Sequence, residues 1–194
     1  MQTVLVKELM VSLTEYATVR EDATLYEAVL ALEHARKSFD QRRARHRAVL
    51  VLDENEQVVG KISYLDIIES LEPKYADVEE LKHTISTFTP DFIRSLMRKY
   101  NLWQKPLDDI CRKAARVRVT DVMYTPSEAD FMDEDFTLDE AVHRLMVQRL
   151  QSLLITRREQ VVGVLRLSDV VERICGMIKA CDFTSAEVPL GEQG

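Results

Sequence analysis

Glycine is scarce in this chain. Only Gly60, Gly163, Gly176, Gly191 and Gly194 occur in 194 residues, and no two of the first three are close together. A phosphate-cradling P-loop, a GxGxxG dinucleotide turn and a GxSxG nucleophile elbow all need glycines at short spacing, so all three are excluded. Cysteine is rarer still: Cys111, Cys175 and Cys181 form an odd set with no CxxC. With an N-terminus unlike a secretory signal, they read as reduced thiols in a cytoplasmic protein. The histidines, His34, His46, His83 and His143, make no HExxH and pair with no cysteine at zinc spacing, so no metal site is expected. Charge-free stretches fall far short of the ~20 residues that cross a bilayer, so no membrane partner is expected. Positive charge is in deficit, 26 Lys plus Arg against 33 Asp plus Glu for a formal charge of −7. Nucleic acid is therefore a poor partner, because its affinity comes mainly from neutralised phosphates. What is present is apolar material: 46% hydrophobic residues beside 30% charged ones, enough to bury a core.

That material is arranged twice. VKELM at 6–10 matches VTDVM at 119–123, and TLYEAV at 24–29 matches TLDEAV at 137–142, both at an offset of 113. QVVGKISYLDII at 57–68 matches QVVGVLRLSDVV at 160–171 at an offset of 103, so the first copy carries ten extra residues before its closing block. Units of about 60 residues in two copies are too long and too few for a solenoid; duplication of a small α/β unit is the simpler reading.

Each unit can be read coarsely. Thr24 and Glu27 have capping-box spacing, as do Thr137 and Glu140. Leu25, Ala28, Val29 and Leu32 then share one helical face, as do Leu138, Ala141, Val142 and Leu145. AVLVL at 48–52 and SLLIT at 152–156 are short apolar runs, each followed by a polar turn and a second strand, 57–63 or 160–166. Helices follow from near Tyr64 and Ser168. Each copy therefore reads as a short helix, a short strand, a helix, two strands and a helix. Between them Thr89–Pro90 starts a helix whose stripe is Phe92, Ile93, Leu96, Met97 and Tyr100. After Pro106, Ile110, Cys111, Ala114 and Ala115 are expected to face inward. The expected organisation is repeat one at 1–71, a helical insertion with Trp103 at 72–118, repeat two at 119–181 and a frayed tail at 182–194.

The unit order, closed twice by a G-h-h-S/T-x-x-D pattern, resembles the cystathionine-β-synthase-type domain, or CBS domain, in tandem. Gly60-Lys61-Ile62-Ser63-Tyr64-Leu65-Asp66 fits the pattern in full; Gly163-Val164-Leu165-Arg166-Leu167-Ser168-Asp169 keeps the glycine and the aspartate but has Arg166 at the Ser/Thr position. The resemblance covers about two thirds of the chain. It implies an α/β (α+β) fold of two βαββα repeats packed pseudo-symmetrically, with the helical insertion outside it. It further implies a regulatory rather than catalytic module that binds AMP, ADP, ATP or S-adenosylmethionine between the repeats, dimerises with itself and signals to an effector protein. No other cofactor is required. A ligand-free dimerisation or docking module is the alternative.

The resemblance also designates residues. Asp66 and Asp169 match the aspartate that grips ribose, for which a carboxylate is suited because its two oxygens accept from two vicinal hydroxyls. Ser63 matches the hydroxyl position, where a helix N-terminus also attracts phosphate. The adenine slot would lie at Ala17, Thr18, Arg47 and Ala48 in copy one and at Ala129, Asp130, Ser152 and Leu153 in copy two. The same acids also read as first-turn charges and Ser63 as a cap. Arg166 either crowds the second cleft or reaches a phosphate. The basic run Arg36, Lys37, Arg42, Arg43, Arg45 and Arg47 reads as a solvated extension or as a polyphosphate contact, and the acids between Glu128 and Glu140 as loop and first-turn charges.

Overall fold

The computed structural model describes residues 3–38, 47–71, 89–100 and 110–181. Pro73, Trp103, Pro106, Arg42, Arg43, Arg45 and the segment 182–194 lie outside the described residues.

In copy one a three-stranded sheet forms from β2 (Thr18–Arg20), β3 (Ala48–Leu52) and β4 (Val58–Ser63), in the order β2-β3-β4. β2 runs parallel to β3, and β3 antiparallel to β4. Helix α1 (Leu25–Ser38) joins β2 to β3, and α2 (Tyr64–Leu71) follows β4. Copy two repeats this with β5 (Phe131–Asp133), α5 (Leu138–Gln148), β6 (Ser152–Arg157), β7 (Gln160–Arg166) and α6 (Leu167–Ala180). Both hairpins carry a register shift, at Val51/Leu52 and at Ile155/Thr156. Copy two turns on two residues, Arg158 and Glu159, both at positive φ, where copy one takes five.

The helices form where their N-termini are capped. Thr24 Oγ1 accepts from the Glu27 N–H at 3.3 Å, while Glu27 accepts from the Thr24 N–H at 2.7 Å; Thr137 and Glu140 repeat the arrangement at 3.3 and 2.9 Å. Leu25, Ala28 and Leu32 are buried beneath α1, and Leu138, Ala141 and Leu145 beneath α5. Val29 departs from the expected face: at the edge of the stripe, it is 38% exposed.

The segments that open the copies are exchanged. The strand β1 (Val11–Ser12) pairs not with copy one but with β7, making the second sheet β1-β7-β6-β5. Val6 is fully buried in the core of copy two, and its N–H donates to Phe136 O at 2.9 Å. The counterpart segment does the reverse. Val119 is buried in the core of copy one and its N–H donates to Ala23 O at 3.1 Å, while Tyr124 bridges to Lys61 on β4. A third cluster, Val11, Tyr16, Leu50, Leu154 and Val164, joins the two sheets face to face.

Of the insertion, α3 (Pro90–Lys99) and α4 (Ile110–Ala114) are described. Thr89 Oγ1 caps α3 by accepting from the Phe92 N–H. Leu96 is buried, whereas Ile93 and Met97 are 44% and 47% exposed. On α4 the inward residues are Ile110 and Ala114, which pack with Leu25 and Leu71. Cys111 and Ala115, expected inward, are exposed, because the five-residue helix offers one narrow face to α1 and α2.

Candidate functional site

The pairing of the sheets leaves a cavity of about 670 Å³ between the copies. From copy one it is lined by the start of β3 (Arg47, Ala48), the end of β4 (Lys61, Ser63) and the start of α2 (Tyr64, Leu65). Copy two supplies the matching positions, Gln151 and Ser152, then Arg166, Leu167 and Ser168, with Val171 one turn further on and Tyr16 closing a wall. The N-terminal residues of α2 and α6 thus face one space. Among the described residues no Asp or Glu lines it, although the chain as a whole is acidic; the charged ones there are Arg47, Lys61 and Arg166.

Of the residues designated from the sequence, Ser63, Arg47, Ala48, Ser152 and Arg166 come together on this surface, and Ala17, Thr18, Ala129, Leu153, Asp66, Asp169 and Asp130 do not. Strand alternation is the reason for two of them. Ala17 packs in the core of copy one, and Leu153 points into the core of copy two, one residue from Ser152 on the cavity wall. By the strand registers Ala17 is the counterpart of Asp130, and Arg47–Ala48 of Gln151–Ser152, one residue away from the correspondence expected from the sequence.

The two helix-start aspartates differ in their bonding. Asp66, half-buried, accepts the Ser63 N–H on Oδ2 at 2.6 Å, and its own N–H donates to Ser63 Oγ at 3.4 Å, a capping box. Asp169 is buried and accepts Nε and Nη2 of Arg166 on separate oxygens, each at 2.6 Å. Such a two-pronged pair is held by geometry as well as charge.

Asp130 serves the wall from behind. Its Oδ2 accepts from Tyr124 Oη at 2.8 Å, the Ser127 N–H at 2.9 Å and Ser127 Oγ at 3.0 Å. Its buried Oδ1 has no hydrogen-bond partner and lies 3.9 Å from Lys61 Nζ. Lys61 Nζ also donates to Ser152 Oγ at 3.4 Å and stands 5.5 Å over the Tyr124 ring. Burial holds the Lys61 ammonium below the usual lysine range, with Asp130 and then Asp66 pulling the other way. The Tyr16 phenol is pushed up to about 12 by burial, so it faces the space as a neutral group.

Lys61, Tyr16, Tyr64, Leu65, Gln151, Leu167, Ser168 and Val171 were not designated from the sequence. Lys61 did carry a signal: it alternates with Ser63 on β4 and so shares its face. Tyr16 and Gln151 carried none, since their places depend on how the two sheets meet. Among the described residues, no group of three His, Cys, Asp or Glu side chains could hold a metal ion. Nor is any helix there long and apolar enough to cross a membrane.

The family model of the CBS domain matches residues 6–73 and 119–176. Among solved structures, a CBS-pair protein from Arabidopsis thaliana, CBSX2, is 16% identical over 93% of this chain and 100% of its own, with a TM-score of 0.56. A CBS-domain protein of unknown function from Bacillus anthracis is also 16% identical, over 90% of this chain and 95% of its own, at a TM-score of 0.58. The CBS domain of a bacterial CNNM/CorC-family Mg²⁺ transporter, solved with ATP, is 15% identical over 89% and 88%, at 0.56. At these identities the likeness is one of fold. A search of curated proteins finds no match.

Proposed function

The chain belongs to the CBS-domain family, and from that premise we propose that it is a cytoplasmic, non-catalytic regulatory module. In this reading it binds an adenosine nucleotide in the crevice between its copies and signals to a separate partner protein. The observation that carries the reading is the cavity wall. Two helix N-termini from two copies, the Ser63 hydroxyl, Arg47 and Lys61 face one space, with the Asp130 carboxylate set behind Lys61, an arrangement that attracts phosphate. Tyr16, Tyr64, Leu65, Leu167 and Val171 supply apolar surface for a purine, and about 670 Å³ is the size of a small-molecule site. The Arabidopsis protein has been solved with AMP and the transporter domain with ATP, which supports the same ligand class here.

In this reading Asp66 turns from its cap toward the ribose hydroxyls, and Ser63 takes a phosphate oxygen. Binding then favours one relative arrangement of the copies, limited by the ligand's differential affinity for the two arrangements. The exchanged opening segments carry that arrangement to the outer helices. The outward faces of α2 and α6, with Ile68 at 48% and Ile178 at 54% exposure, favour self-association into a dimer.

Thermal melting and calorimetric titration with AMP, ADP, ATP and S-adenosylmethionine test the proposal. One of them is expected to raise the melting temperature progressively with concentration. Lys61→Met is expected to weaken ATP more than adenosine. If no adenosine compound moves the melting temperature, the ligand reading fails and the docking alternative, which the exposed faces of α2 and α6 favour, takes its place.

A further inference from the structure

We propose that each chain holds a single nucleotide, because Arg166 permanently occupies the carboxylate that copy two would otherwise offer. The inference rests on the nucleotide reading above and goes beyond it to the number of sites and the residue that sets it.

Arg166 stands where copy one has Ser63, at the last position of the closing strand. A serine there is too short to reach both oxygens of the aspartate three residues on. The arginine reaches both, Nε to Oδ2 and Nη2 to Oδ1, at 2.6 Å each. Arg166 is 5% and Asp169 6% exposed, so little of the pair meets water even though Arg166 borders the cavity. A ribose would need those same two oxygens for its vicinal hydroxyls. It would have to displace a buried guanidinium from the carboxylate that holds it by two bonds, and breaking a buried pair from one side is costly. The arginine also provides two charge-assisted bonds where the diol would provide neutral ones.

Among the described residues no ion pair engages Asp66, which accepts the backbone N–H of Ser63. The two copies share a fold and a repeated motif, yet among the described residues one carboxylate is held by an arginine side chain and the other by its cap. The chain therefore binds through Asp66, and Arg166 is the residue that limits occupancy.

Calorimetric titration of the full chain with ATP reads the number of sites directly. The wild-type chain is expected to bind one ATP. Arg166→Ser restores the motif residue, releases Asp169 and is expected to bind two. Asp66→Asn keeps the cap acceptor but removes the charge; it is expected to lose at least ~10-fold in ATP affinity with no replacement site, because Asp169 stays engaged. Two ATP per wild-type chain would overturn the proposal. So would a folded Arg166→Ser chain with no added site, or an Asp66→Asn chain that still binds one ATP at wild-type affinity. If Arg166→Ser does not fold, the Asp66→Asn titration decides. A wild-type chain that binds no ATP would sink the nucleotide reading instead. In that case a site gained by Arg166→Ser would still uphold the role of Arg166, and no gain would overturn it.

Discussion

At the scale of single residues, the two motif glycines show why a short pattern recurs. Neither adopts a positive φ, so backbone freedom is not what they supply. They supply room for the segment of the other copy that crosses them. A Cβ on Gly60 would meet Met123 Sδ at 2.1 Å, and one on Gly163 would meet Val11 O at 2.6 Å and Met10 Sδ at 2.8 Å. Met123 meets the Gly60 Cβ with Cγ at 2.8 Å and Cβ at 3.0 Å as well, a flexible side chain that gives way more readily than the Val11 carbonyl, which the β1–β7 pairing holds. Gly60→Ala is therefore expected to cost about 1 kcal/mol and Gly163→Ala about 3 kcal/mol in urea unfolding. Met123→Ala should ease the strain of Gly60→Ala, while Met10→Ala leaves that of Gly163→Ala in place. Equal losses, or rescue of Gly163→Ala by Met10→Ala, would refute this account. The sequence displays these glycines as a repeated motif but not the reason for them, because Met123 lies 63 positions from Gly60 and Val11 lies 152 from Gly163. Arg166 is the converse. Its departure from the pattern is visible by inspection, and its choice between blocking a cleft and reaching a phosphate turns on Asp169, three residues on, at a geometry that only folding reveals. Asp130 was designated for an adenine slot. Instead, it closes a turn with Ser127 and Tyr124 and backs Lys61, from which it is 69 positions distant.

At the scale of elements, most of what forms was legible, because helices and hairpins are specified by neighbours in sequence. The capping boxes at Thr24 and Thr137 lie where the spacing puts them, and both hairpins run into helices as expected. The two boxes make the same pair of bonds, so Thr24→Ala and Thr137→Ala are each expected to cost about 1 kcal/mol. The sites share no partner, so the double variant should lose about the sum. Urea unfolding of the three variants checks this; a double variant that loses clearly more than the sum would mean that the two helix starts are coupled through the exchanged segments. What was not legible is the exchange itself. β1 is two residues long, and its alternation is the same whichever sheet it joins. On α4, Cys111 and Ala115 fit an inward stripe by spacing, but five residues make little more than one turn and bury one side only.

At the scale of the whole molecule, the exchange determines how the chain comes apart. Each core is completed by the opposite copy's opening segment: Val6, with Leu9 and Met10 packed beside it, enters the core of copy two, and Val119, with Val122 and Met123, enters that of copy one. The middle cluster of Val11, Tyr16, Leu50, Leu154 and Val164 draws on both sheets at once. Unfolding copy one alone would withdraw Val6 and β1 from copy two, expose the β7 edge and empty part of a close-packed core. Neither copy can then be stable while the other is unfolded, and the two are expected to melt as one unit. Scanning calorimetry of the full chain should give a single transition whose calorimetric and van't Hoff enthalpies agree. A fragment of residues 1–118 lacks Val119 and Tyr124, and its β1 has no sheet to join; it is expected to show no cooperative transition. Two resolved transitions in the full chain, or a fragment that melts sharply by itself, would show the copies to be independent. The route proposed here from the crevice to the outer helices would then be lost, since a ligand that orders one copy could bias the other only if the two share their cores.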